Sequence, residues 1–161
     1  MKKVGHYKMV GKIGGGQFGT VYKAINERTK EEFALKAINK RKITSNPKMK
    51  SLFDTEVAVM KKINHPNIIH LHDLLETTNN FYLVLDYCNG GDLETHVKRN
   101  RSLGEQESIY FLMQISNGFK ELHRYKIMHR DFKLANIFLL ESFFAILDTG
   151  FVKSGSEMAS Y

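Results

Sequence analysis

Ile13-Gly14-Gly15-Gly16-Gln17-Phe18-Gly19-Thr20-Val21 is the stretch on which the reading of this chain turns. Its glycines at 14, 16 and 19 spell G-x-G-x-x-G. In dinucleotide-binding folds a helix follows such glycines and an acidic residue sits on the next strand. Here residues 20–25 read as a strand instead, matching a β-like run over 7–13 before the glycines. The expected unit is therefore strand, glycine loop, strand. Residues without Cβ let backbone amides close over phosphates; in isolation, a plain glycine-rich hairpin is the other reading.

Working outward, residues 32–38 supply a third strand carrying Lys36 between Ala34, Leu35 and Ala37, Ile38. An ammonium in such surroundings is costly without an anion beside it. Pro47 then opens a segment in which Phe53, Val57, Met60 and Ile63 recur at helical spacing, with Glu56 inside it and His65-Pro66-Asn67 ending it. Residues 68–75 and 81–85 read as two more strands, and Cys88-Asn89-Gly90-Gly91 as a flexible connector. Five strands and one helix make a small lobe. Beyond the connector, Ser102 and Glu105 spell a capping box ahead of the apolar series Ile109, Leu112, Met113, Ile115, Phe119 and Leu122, so a second lobe starts as α.

Composition bounds the function classes. The 161 residues, 42% hydrophobic, are enough for an ordinary core. No apolar run approaches the roughly 20 residues that span a bilayer, and the N-terminus lacks the apolar stretch of a secretory signal, so a cytoplasmic protein without a transmembrane segment is expected. The one cysteine, Cys88, excludes an internal disulfide and a cysteine-built zinc site. Net charge is +7, but Lys and Arg are spread along the chain, and the densest basic run, 36–50, reads as a solvated loop and helix start. No nucleic-acid partner is expected.

Further on, His129-Arg130-Asp131 is followed by Asn136, five residues beyond its Asp, and then by Asp148-Thr149-Gly150. Glycine loop, strand lysine, His-Arg-Asp and a final Asp-x-Gly, in that order, resemble a eukaryotic protein kinase of the serine/threonine type. The resemblance implies an α+β, bilobal, protein-kinase-like fold over 7–161, with 7–87 as N-lobe and hinge and 88–161 as the start of a C-terminally incomplete helical lobe.

It also implies site residues. Ile13, Gly14, Gly15, Gly16, Gln17, Phe18 and Gly19 would cover the phosphates of ATP, and Lys36 would touch the α- and β-phosphates while pairing with Glu56. Leu85 would stand at the gate to the back pocket, the backbones of Asp86 and Cys88 would meet adenine, Val21, Ala34 and Phe138 would sandwich it, and Asp92 would lie near the ribose. Asp131 would accept or orient the proton of the substrate hydroxyl, Lys133 would neutralise charge on the γ-phosphoryl, Asn136 and Asp148 would bind Mg²⁺, and Arg130 would serve an activation-loop phosphate. The implied ligands are ATP, Mg²⁺ and protein substrates.

Three departures stand out. Leu134 and Phe132 replace commoner residues and keep apolar character, whereas Thr149 replaces the phenylalanine of Asp-Phe-Gly, whose ring would stack with Met60, Leu71 and His129. The run Ile146-Leu147-Asp148-Thr149-Gly150 also looks like an aspartic-protease signature, but those enzymes need two such aspartates and this chain has one. Tyr87-Cys88-Asn89-Gly90-Gly91-Asp92-Leu93 resembles the autophagy-initiating branch, and Phe132-Lys133-Leu134-Ala135-Asn136 is similar to protist kinases. With the helical lobe incomplete, the helix over 105–123 is expected to present an apolar face to water or to a protein partner. An active kinase, an ATP-binding pseudokinase module and a truncated product all remain open.

Overall fold

The computed structural model describes residues 2–16, 19–129, 131–141 and 144–147. The described residues of Met1–Lys62 and His70–Tyr87 form one compact unit, and those of Ile63–Ile69 and Cys88–Phe151 form a second.

The first unit is a six-stranded antiparallel sheet. Its strands are β1 (Lys3–Val4), β2 (Tyr7–Gly16), β3 (Gly19–Asn26), β4 (Glu32–Asn39), β5 (Leu71–Glu76) and β6 (Asn80–Asp86), in the order β1-β2-β3-β4-β6-β5. The two-residue β1 was not legible in the pattern, and it makes the sheet six strands where five were expected. β6 is central enough to be buried on both faces, from Phe81 to Leu85, and accordingly reads as a continuous apolar run. One face buries Tyr7, Met9, Phe33, Leu35, Tyr82 and Val84, with Tyr7 and Phe33 edge-to-face at 5.4 Å. Helix α2 (Pro47–Met60) covers the opposite face, where Phe53 meets Phe81 at 4.8 Å. It begins on Asn46, whose side chain accepts the Lys48 N–H, with Pro47 in the first turn where a missing N–H costs nothing.

A short helix, α1 (Lys40–Thr44), capped by Asn39, occupies part of the basic run that reads as loop. The α2 stripe is Phe53, Val57 and Met60; Ile63 lies beyond the helix end and is buried in the second unit. Ile68 and Ile69 are likewise buried there, so the strand expected over 68–75 starts only at Leu71.

The second unit holds α3 (Leu93–Asn100), α4 (Glu105–Arg124), a 3₁₀ turn at Leu134–Asn136 and a hairpin of β7 (Ile137–Leu140) with β8 (Phe144–Leu147). The expected capping box does not form: α4 begins on Gly104 with no side-chain cap, and Glu105 and Glu107 sit in the first turn, where their charge favours the helix dipole. α4 buries Phe111, Gln114, Ile115 and Leu122, whereas Ile109 is 50% exposed and Leu112 and Met113 are each 61% exposed. The apolar face expected to meet water is thus present on this unit. The connector read as flexible is hydrogen-bonded to β7. Gly90 N–H donates to Leu139 O and Leu139 N–H to Gly91 O, both at 2.8 Å, and Gly91 adopts a φ of +76° that favours glycine.

Candidate active site

Antiparallel register decides which side chains share a face, because directly opposed residues point the same way and so do residues two apart. Gly14 opposes Val21, Val21 opposes Lys36, and Lys36 opposes Leu83. One step along the strands, Lys23 opposes Ala34 and Ala34 opposes Leu85. Gly14, Val21, Ala34, Lys36 and Leu85 therefore line one face, the face shared with Ile38 and Phe81 on which α2 packs. Gly16 opposes Gly19 at the hairpin end, while Gln17 and Phe18 lie outside the described residues. Ile13, Gly14, Gly15, Gly19 and Thr20, with Lys12, line a recess of about 450 Å³.

The glycines differ in why they are glycine. A Cβ on Gly19 would come within 1.8 Å of the Ala37 carbonyl oxygen, so the fold itself forbids a side chain there. A Cβ on Gly14 would meet nothing nearer than Val21 at 3.8 Å. Space for a side chain exists at Gly14, and its absence leaves the backbone open on the face that carries Lys36.

Lys36 is half-buried on β4 and Glu56 half-buried on α2. Among the ion pairs of the described residues none joins the two. Lys23 instead carries an ion pair to Glu32 at 2.7 Å and lies 4.5 Å over the Tyr87 ring. The hydrogen bond to Glu32, partly opposed by desolvation, holds its ammonium above the usual lysine range.

In the second unit the residues following His129 close on themselves. Asn136 Nδ2 donates to Asp131 O at 2.8 Å and to Asp131 Oδ2 at 3.0 Å, and Lys133 Nζ stands 3.4 Å from the same Oδ2. Asn136 N–H donates to Lys133 O at 2.9 Å, tightening the turn, and Asp131 N–H donates to His129 O at 2.7 Å. Phe132 packs edge-on against Phe119 of α4 at 5.0 Å and lies 5.9 Å from His129, tying the loop to the helix. The result is a carboxylate with a cation and an amide on one oxygen, 29% exposed. With its Nδ2 engaged, the Asn136 carbonyl oxygen is a hard donor of the kind Mg²⁺ takes. Arg130, Asp148 and Thr149 lie outside the described residues.

Residues 7–161 match the family described as protein kinase domain. The chain belongs to that family. It is 35% identical over 161 residues to the serine/threonine-protein kinase atg1 of Dictyostelium discoideum, covering 95% of this chain and 24% of that protein. It is 40% identical over 128 residues to the human serine/threonine-protein kinase ULK1, covering 79% of this chain and 12% of that one. A crystal structure of Rad53 1–466 in complex with AMP-PNP superposes with a TM-score of 0.79 at 32% identity, covering 90% of this chain and 38% of the other. The chain thus spans a quarter or less of these two curated relatives. The family and its serine/threonine type, read from four motifs, stand, and so does the kinase fold with its antiparallel sheet. Among the described residues no helix is long and apolar enough to cross a membrane.

Some site residues have structural duties that the motifs do not reveal. Asp92 caps α3, its Oδ1 accepting Thr95 N–H and its Oδ2 the Thr95 hydroxyl, both at 2.8 Å, and it bridges to Phe138. Asp86, read for its backbone, uses its carboxylate as well: Oδ2 accepts His70 N–H and Oδ1 meets His72 Nε2, each at 2.7 Å. His70 and His72 have no motif to mark them. His70 immediately precedes β5 and His72 is at its second position, and their residue type gives no further sequence signal.

Proposed function

We propose that this domain binds MgATP and transfers its γ-phosphoryl group to serine or threonine hydroxyls of protein substrates. The observation that carries the reading is the Asp131–Lys133–Asn136 cluster, in which a half-buried carboxylate is held by an amide and faces an ammonium. The substrate oxygen bonds to the γ-phosphorus, the β–γ bridging oxygen departs with ADP, and Asp131 takes the hydroxyl proton. Lys133 balances charge on the transferred group, and Lys36, on the face it shares with Gly14 and Val21, holds the phosphates. Val21, Ala34 and Leu85, on one face of the sheet, would meet the purine, with the backbone of Asp86 reading its edge; the family resemblance assigns Cys88, Asp92 and Phe138 to the same ligand. Asn136, with Asp148, would hold Mg²⁺, which when bound neutralises phosphate charge and orients the γ-phosphoryl. The AMP-PNP held by the Rad53 neighbour supports the nucleotide class.

A second reading, an ATP-binding regulatory module without transfer, is favoured by Thr149 standing where the family pattern Asp-Phe-Gly has phenylalanine. Thermal melting with and without MgATP, together with Asp131→Asn, tests both. The kinase reading expects MgATP to raise the melting temperature of both proteins and only the parent chain to phosphorylate a serine peptide. Stabilisation of both without transfer by either supports the module, and no stabilisation of the parent chain refutes both.

A further inference from the structure

Asp86 stands where β6 leaves the sheet, and it is tied to the start of β5 three times over. Its N–H donates to His70 O at 3.3 Å, its Oδ2 accepts His70 N–H at 2.7 Å, and its Oδ1 meets His72 Nε2 at 2.7 Å. The geometry is not that of an ordinary ladder. The β5–β6 register shifts between Leu71 and Asp73, so His72 is the bulged residue with no direct partner in β6. A bulge bends its strand and re-aims the side chain it carries, and this one turns the imidazole onto the Asp86 carboxylate.

The ring is also wedged. It meets Phe33 edge-on at 5.1 Å and His70 edge-on at 4.7 Å. Phe33 is the cross-strand partner of Asp86 in β4 and packs on Tyr7 in the core of the sheet. Asp86 and His72 side chains are 33% and 37% exposed, so neither is buried for the sake of the core. Salt bridges this exposed add little to stability by themselves. What three contacts on one residue do is fix backbone orientation at the strand end. That is the peptide to which the nucleotide-binding reading assigns recognition of the purine edge, and recognition through backbone groups is as good as the backbone is rigid, because any freedom there is lost on binding.

We propose that His72 and the Asp86 carboxylate form a clamp that positions this hinge peptide for the purine base, making them positioning residues for base affinity that do not themselves touch the nucleotide. The proposal rests on the MgATP reading above and adds to it a role for side chains that the motif assigns nothing.

The test is calorimetric binding of MgATP and of magnesium tripolyphosphate, which has the phosphates and no base, to the full chain and three variants. His72→Phe keeps the ring contacts and removes the donor, Asp86→Asn keeps the size and removes the charge, and His72→Gln keeps an N–H donor. The clamp predicts that His72→Phe and Asp86→Asn weaken MgATP binding by about three- to tenfold, leave tripolyphosphate unchanged, and that His72→Gln recovers most of the loss. Melting temperatures identify any variant that does not fold, and the remaining substitution then decides. Unchanged MgATP affinity in the folded variants, or equal losses for both ligands, would overturn the clamp alone. A parent chain that binds neither ligand would overturn the clamp together with the nucleotide reading.

Discussion

Replacing each of two glycines of the loop by alanine should separate what the fold needs from what the nucleotide needs. At Gly19 a Cβ would lie 1.8 Å from the Ala37 carbonyl oxygen and 2.9 Å from its carbon, and both are backbone atoms of the neighbouring strand that no rotamer change can move. Relief requires β3 and β4 to part at the Gly19–Ile38 and Thr20–Ala37 pairs. Overpacking of this kind costs about 1–3 kcal/mol, and at roughly 2–4 °C per kcal/mol for a chain of this length, Gly19→Ala should melt about 2–12 °C lower. At Gly14 the nearest atom to a new methyl is Val21 Cβ at 3.8 Å, and the residue is not among those with positive φ. Gly14→Ala should therefore be neutral or stabilising by up to about 1 kcal/mol through the unfolded chain. Its methyl would nonetheless project onto the face of Val21 and Lys36, and MgATP binding should weaken. Differential scanning calorimetry and nucleotide titration read the two effects separately. A Gly19→Ala protein that melts with the parent, or a Gly14→Ala protein that melts well below it, would refute the reasoning.

Other substitutions probe particular contacts. Phe53 is fully buried against Phe81, so Phe53→Ala should cost about 3–5 kcal/mol, measured by denaturant unfolding. Asp92→Ala removes the α3 cap formed with Thr95 and should lower stability by about 1 kcal/mol in the same experiment, with any larger loss in MgATP affinity marking a ribose contact as well. Lys36→Met should leave the melting temperature without nucleotide within a few degrees of the parent and abolish most of the shift that MgATP produces; an undiminished shift would remove Lys36 from the site.

The three strands around the glycine loop were legible because alternation and punctuation agree there, and α2 because Pro47 and a stripe at helical spacing mark it. What the sequence did not show has physical causes. Ile63, Ile68 and Ile69 are apolar wherever they are buried, and nothing in their spacing says that the second unit takes them rather than α2 or β5. α4 is apolar around more than one face, so periodicity alone could not separate buried Phe111 and Ile115 from exposed Leu112 and Met113. Ser102 and Glu105 have the spacing of a capping box, yet the helix begins one turn's fraction later on Gly104, because S-x-x-E is a preference and not a constraint. In the site, Asp131, Lys133 and Asn136 were legible since a local turn brings them together. The clamp of Asp86 by His72 was not, because it depends on a one-residue slip between two strands that no residue type announces.

Phosphoryl transfer from γ-labelled MgATP to a serine or threonine peptide, compared between the parent chain and Asp131→Asn at matched nucleotide saturation, tests the central claim most directly. With Asp131 as the proposed acceptor of the hydroxyl proton, transfer should fall at least a hundredfold in the variant, with MgATP affinity unchanged. Transfer by Asp131→Asn at the parent rate, or loss of nucleotide binding in step with activity, would contradict the assignment of the proton acceptor.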